Sequence, residues 1–147
     1  MTAIGRALAN QFCGAFGGLR DIIGKLPDDQ WYAGATMDQI PARRAHHAIM
    51  WAGRYCRPRG GHHPTARGDT PETTYRPRTG MLAYLEETAR QVETALAATT
   101  DEQFAGPGGG GHRLLEHWVY NLRHLQHHVG QLSSTLRERR LPSMKWH

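Results

Sequence analysis

Apolar residues recur along this chain at alternating steps of three and four, and they do so in four separate stretches. From about Ile4 to Leu26 the residues Leu8, Phe12, Ala15, Phe16, Leu19, Ile22, Ile23 and Leu26 fall on one side of a helix. Pro27 closes that segment. A second segment, from about Pro41 to Cys56, carries Ala45, Ala48, Ile49, Ala52 and Tyr55. Its proline suits a first helical turn, where the missing N–H is not wanted. Its stripe is made of small residues, which let a neighbouring helix come close. The third segment, from about Gly80 to Ala98, has Leu82, Leu85, Ala89, Val92 and Leu96, with Thr79 placed to cap it. The fourth, from about His112 to Arg140, keeps Leu115, Trp118, Leu122, Leu125, Val129, Leu132 and Leu136 in strict register until Pro142.

No stretch alternates in the manner of a strand. Four amphipathic helices in one chain bury their stripes most simply against one another, so the expected fold is all-α, a four-helix bundle. The 147 residues suit a single domain spanning 1–147. The 57–79 stretch, rich in Gly, Pro and Arg, is too long for a tight connection and is expected to be a long loop between the second and third helices, a crossover or a lid. Asp101, Glu102 and the glycines at 108–111 are expected to form a link.

Composition narrows the function classes. The hydrophobic share of 39% is that of a globular chain. The net charge of +5 would permit a nucleic-acid partner, but much of the basic charge sits in two places, at Arg54, Arg57, Arg59, Arg67, Arg76 and Arg78 around the loop and at Arg137, Arg139, Arg140 and Lys145 in the tail. They do not form a basic helix interleaved with aromatics, so no nucleic-acid partner is expected. No run approaches the roughly 20 apolar residues of a membrane span, and the start of the chain does not read as a leader, so a cytoplasmic protein with no membrane partner is expected. Cys13 and Cys56 form no C-x-x-C pair and read as small buried hydrophobes.

The candidate chemistry lies in histidine, of which there are ten. In the run RHLQHHVGQL, His124 and His128 stand four apart, one turn above one another on a single helix face. Two imidazoles so placed can hold one metal ion, zinc nitrogen bonds being about 2.0–2.1 Å long. His117, Asn121, His124, His128 and Gln131 form a polar stripe beside the apolar one, at the edge of the core. A buried polar group is costly without a partner, and a metal would be one. The second segment offers a third ligand in His47, with His46 as the alternative. Three protein ligands leave a coordination position open for water or substrate, as in catalytic zinc sites. His62, His63 and His112 receive no role, and Lys145, Trp146 and His147 read as a plain tail.

The run VYNLRHLQHHVGQL, residues 119–132, resembles the fourth-helix signature of the DinB-like metal-binding proteins, in which two histidines four apart precede a Gly-Gln-Leu ending. Here these are His124, His128, Gly130, Gln131 and Leu132. PARRAHHAIMW resembles the family's second-helix site, whose single ligand falls on His47. The resemblance implies a four-helix bundle with a divalent metal, zinc or nickel, held by His47, His124 and His128. It further implies a thiol-dependent S-transferase that uses a low-molecular-weight thiol such as mycothiol or bacillithiol against a small electrophile. Asn121, Gln131 and Tyr120 would then support the ligands or meet substrate. Two other readings stand beside it. One is a non-enzymatic metal-binding or structural protein. The other is a metal-dependent hydrolase, which the sequence disfavours because Leu125, not glutamate, follows His124. Outward apolar residues such as Trp51 point to a homodimer.

Overall fold

The computed structural model describes residues 1–56, 70–109 and 111–145. Four long helices carry the fold: α1 (Ala3–Lys25), α3 (Pro41–Arg54), α5 (Arg78–Ala98) and α7 (Leu114–Glu138). They coincide with the four periodic segments to within a few residues at each end. Between them lie three short helices, α2 (Asp28–Trp31), α4 (Pro71–Thr74) and α6 (Asp101–Ala105), and a single 3-10 turn at Met37–Gln39. Both α1 and α3 pack against α5 and α7, so α1 and α3 face each other across the diagonal of an all-α bundle.

The eight apolar residues of the α1 stripe are all buried, and they meet Ile49, Leu85, Val92, Leu96, Leu125, Leu132 and Leu136 in one core. Two further helix-borne residues join it from α5, Met81 and Thr88. On α3, Ala42, Ala45, Ala48 and Ala52 are wholly buried. A stripe of methyl groups allows α3 to lie close against its neighbours. At Gly53 a Cβ would stand only 3.3 Å from the Thr88 methyl of α5.

Several local expectations are corrected. Thr79 does not cap α5; Pro77 holds that place, and the helix starts two residues earlier than a threonine cap at 79 would allow. The link after α5 is built. Thr100 and Gln103 exchange side-chain and backbone bonds in a capping box that starts α6. The glycine run then forms a short antiparallel hairpin, β1 (Pro107–Gly109) with β2 (His112–Arg113). Gly108 lies 2.6 Å, measured from an ideal Cβ, from the Leu114 Cα, and Gly111 has φ +84°, so both positions need glycine. The tail is tied down as well. The Asp21 carboxylate accepts from the Lys145 backbone N–H at 2.8 Å, and Lys25 Nζ donates to the Ser143 carbonyl at 2.6 Å. Cys13 is exposed and Cys56 half-buried, so neither is a core hydrophobe. Residues 70–77 contain α4 rather than uninterrupted loop. The expectations for 57–69, His62, His63, Trp146 and His147 lie outside the described residues. Among the described residues no helix is long and apolar enough to cross a membrane.

Candidate metal centre

The α3–α7 seam positions the site. The two helices run antiparallel, and residues on their facing edges meet rung by rung. At one end the Arg44 guanidinium donates to Thr135 Oγ1 at 3.3 Å. One turn along, the His47 ring lies 4.7 Å from that of His128 and 5.3 Å from that of His124. Next, Trp51 lies 6.2 Å from His124. At the far end Tyr55 meets His117 at 4.9 Å and Tyr120 at 5.8 Å. Residues 44, 47, 51 and 55 recur at three- and four-residue steps along α3 and its C-cap, as do 117, 120, 124, 128, 131 and 135 on α7, which is why each set shares a face.

His47, His124 and His128 are brought together. One nitrogen from each lies within 4.8 Å of the other two, and all three residues are half-buried. The Nε2 atoms of His124 and His128 are 3.1 Å apart. Two nitrogens bonded at about 2.0–2.1 Å to one ion, across an angle of roughly 90–110°, stand about 2.9–3.4 Å apart. The observed spacing therefore fits joint ligation without movement of α7. His128 Nδ1 sits 2.8 Å from Gln131 Oε1. A carbonyl oxygen only accepts, so Nδ1 carries the proton and Nε2 presents its lone pair toward His124.

The charge state suits the same chemistry. Burial, then the neighbouring His124 and His47 rings, push His128 down to about 4 despite the opposing bond from Gln131. Burial first and His124 second lower His47, and burial followed by His127 lowers His124. At neutral pH the three rings are neutral and offer lone pairs. No carboxylate joins the cluster among the described residues. A divalent ion held there would keep its full +2 charge, which favours an anion as the remaining ligand.

His46, the alternative ligand, is placed elsewhere. One position round the helix from His47, its ring packs on Tyr75 and Tyr84, at 5.7 and 5.9 Å. Asn121 is fully buried and donates to the Ala52 carbonyl at 3.1 Å, which leaves it no surface for substrate to touch. Ala52 is among the last residues of α3, whose carbonyls have no intrahelical donor, so Asn121 caps α3 from across the seam. Trp51, read from sequence as an outward residue, instead walls the triad, with the Arg54 guanidinium 4.8 Å above its ring. By sequence His117 lies on the same polar stripe as His124, whereas Trp51 and Tyr55 were not placed beside the site. Their spacing from His47 and His124 in multiples of a helical turn was the available signal.

One step along the seam from the triad, a half-open cleft of about 630 Å³ lies at the start of α7, lined by Tyr55, His117, Tyr120 and Arg123 among others. Tyr120 connects the two, its ring stacked on His124 at 6.4 Å and 19°. Burial, then the Tyr120 phenol, raises the pKa of Tyr55, which keeps its hydroxyl protonated at neutral pH.

One protein-family model, described as the DinB superfamily, matches residues 16–132. The matched span takes in α3, α5 and all three clustered histidines. No curated protein matches the chain.

Proposed function

The chain belongs to the DinB superfamily, and from that premise we propose that it is a metal-dependent S-transferase that joins a low-molecular-weight thiol to a small electrophile. His47, His124 and His128 would hold the ion, zinc or nickel by our reading, although imidazole nitrogens suit iron and copper as well. The observation that carries this reading is the convergence of three neutral histidine nitrogens, with no carboxylate joining the cluster among the described residues. When bound, the ion would lower the pKa of a thiol at its open position and keep it as a thiolate.

The chain's own residues support that use in definite ways. Gln131 orients His128 and fixes its tautomer. Trp51, with Arg54 above it, walls the triad on the α3 side. Tyr55 and Tyr120 form the approach from the cleft. Hydrolysis by activation of water calls for a general base, and the residue usually supplied on such a helix, a glutamate beside the first histidine, is replaced by Leu125, which is fully buried.

Elemental analysis of purified protein tests the ligands. About one equivalent of metal is expected in the wild type, with loss in each of His47→Ala, His124→Ala and His128→Ala and retention in His46→Ala. Cobalt-substituted protein tests the open position. Addition of a small thiol should change its visible spectrum by introducing a sulfur-to-metal charge-transfer band. An unchanged spectrum at saturating thiol would remove the transferase reading and leave a metal-binding protein without an accessible coordination position.

A further inference from the structure

Rings form one part of the wall of the cleft beside the triad. Tyr55 meets His117 edge to face, with planes at 62°, and meets Tyr120 at 67°. Leu115 and Val119 supply the aliphatic part, and Glu116 and Arg123 the charged part. Tyr120 and Val119 are unusually open for apolar residues, at 54% and 41% exposure. The other tyrosines of the described residues are half-buried, and leaving the Tyr120 ring more than half in water beside a ligand cluster gains nothing in stability. About 630 Å³ is within the range of small-molecule sites, roughly 300–1,000 Å³. The same tyrosine that lines the cleft lies nearly parallel to the His124 ring, so a molecule resting against it is one ring away from the triad.

We infer that this cleft binds a planar, conjugated small molecule of about naphthalene size, laid against the Tyr55, His117 and Tyr120 rings with its reactive end toward His124. Flat π faces pack on ring walls in offset and edge-to-face contacts that a saturated molecule of equal size cannot make. On the reading above, this molecule is the electrophile, and its class is aromatic or conjugated rather than aliphatic. The opposite flank of the triad contrasts with it. There a smaller cleft is lined by Arg44, Gln131, Ser134, Thr135 and Glu138, polar groups that suit a hydrophilic molecule.

The test is binding to the purified full chain of 2-naphthol and of its saturated analogue decahydro-2-naphthol, followed by NMR of the tyrosine ring protons, with metal content measured on the same samples. Naphthol is expected to shift the Tyr55 and Tyr120 resonances and to bind at least about tenfold more tightly than the saturated analogue. Tyr120→Ala should weaken naphthol binding at least about tenfold, and Tyr120→Phe should stay within about twofold of wild type, with metal content unchanged in both. Equal affinity for the two probes, unaltered binding in Tyr120→Ala, or binding that leaves the Tyr55 and Tyr120 resonances unmoved would overturn the inference. Naphthol binding at Tyr120 in protein that proves unable to take up zinc would uphold the cleft and remove the metal reading alone. Zinc uptake without naphthol binding would do the reverse.

Discussion

Gln131 Oε1 accepts from His128 Nδ1–H at 2.8 Å, one helical turn away, and that bond sets which nitrogen His128 turns toward His124. The Gly-Gln-Leu ending of the sequence run thus has a physical role at its second position. A histidine whose second nitrogen is held by an oxygen acceptor is both oriented and made a better donor at the first.

Replacing that acceptor should therefore weaken the metal site without unfolding the bundle. Gln131→Leu is expected to lower zinc affinity about 10–100-fold, whereas Gln131→Glu, which still accepts from Nδ1–H, should hold zinc at least as well as wild type. Competition with a chromophoric chelator gives both affinities. Equal affinity for the Leu and wild-type proteins would show that packing alone orients His128.

The four helices were legible because each carries a long periodic stripe, and periodicity survives whatever the loops do. His124 and His128 were legible for a related reason, since a spacing of four on one helix fixes their relative position before any tertiary contact forms. The choice between His46 and His47 was a matter of helical phase. His47 lies three residues after Arg44 and four before Trp51, on the α7 face, whereas His46 turns toward Tyr75 and Tyr84. What the sequence did not disclose depends on partners distant in the chain. Asn121 looked like part of a polar stripe facing substrate, but its amide satisfies the Ala52 carbonyl 69 residues earlier. The hairpin at 107–113 is too short to alternate, and it exists because glycine allows Gly108 to approach Leu114 and Gly111 to take a positive φ.

Asn121→Ala should then act on stability rather than on the metal. Removal of its amide leaves a terminal α3 carbonyl buried with only the Cys56 thiol, 3.2 Å away, as donor. The expected cost is about 1–3 kcal/mol, read from the urea midpoint, with zinc stoichiometry unchanged. A variant of normal stability that had lost zinc would place Asn121 with the ligands.

Acid should destabilise the metal-free protein in a window set by histidine. His128 titrates near 4 in the folded chain and near 6.5 when unfolded, and His47 and His124 are lowered in the same direction. Between those limits the unfolded chain binds more protons, so stability is present above about pH 6.5 and is lost progressively as pH falls toward 4. The Glu86 carboxylate, held low by its bond from Arg20, loses its contribution only below about pH 4.5. Urea midpoints measured with chelator present should fall from pH 7 to pH 4.5, and His128→Ala should flatten that slope. A wild-type midpoint constant across this range would mean that the three rings are not held neutral by burial.

The position of His47 depends on how closely α3 lies on α5, and Gly53 makes that dependence testable. A Cβ at residue 53 would stand 3.3 Å from the Thr88 Cγ2 and 3.8 Å from its Oγ1. Thr88 is itself buried, so a leucine there cannot be absorbed by rotation into solvent. Gly53→Leu is expected to cost about 1–3 kcal/mol through overpacking. Because α3 moves as a rigid rod, part of the displacement should reach His47 less than two turns away and reduce zinc affinity as well. Thr88→Ala removes the obstructing atoms, so the double variant should recover both the urea midpoint and the affinity toward wild-type values. Non-additivity of the two substitutions is the decisive reading: side chains in direct contact should couple by about 0.5–3 kcal/mol, whereas independent sites would simply add. Loss of stability in Gly53→Leu with zinc affinity intact would show that the histidine triad tolerates movement of α3, and that the ion's binding rests chiefly on the pair borne by α7.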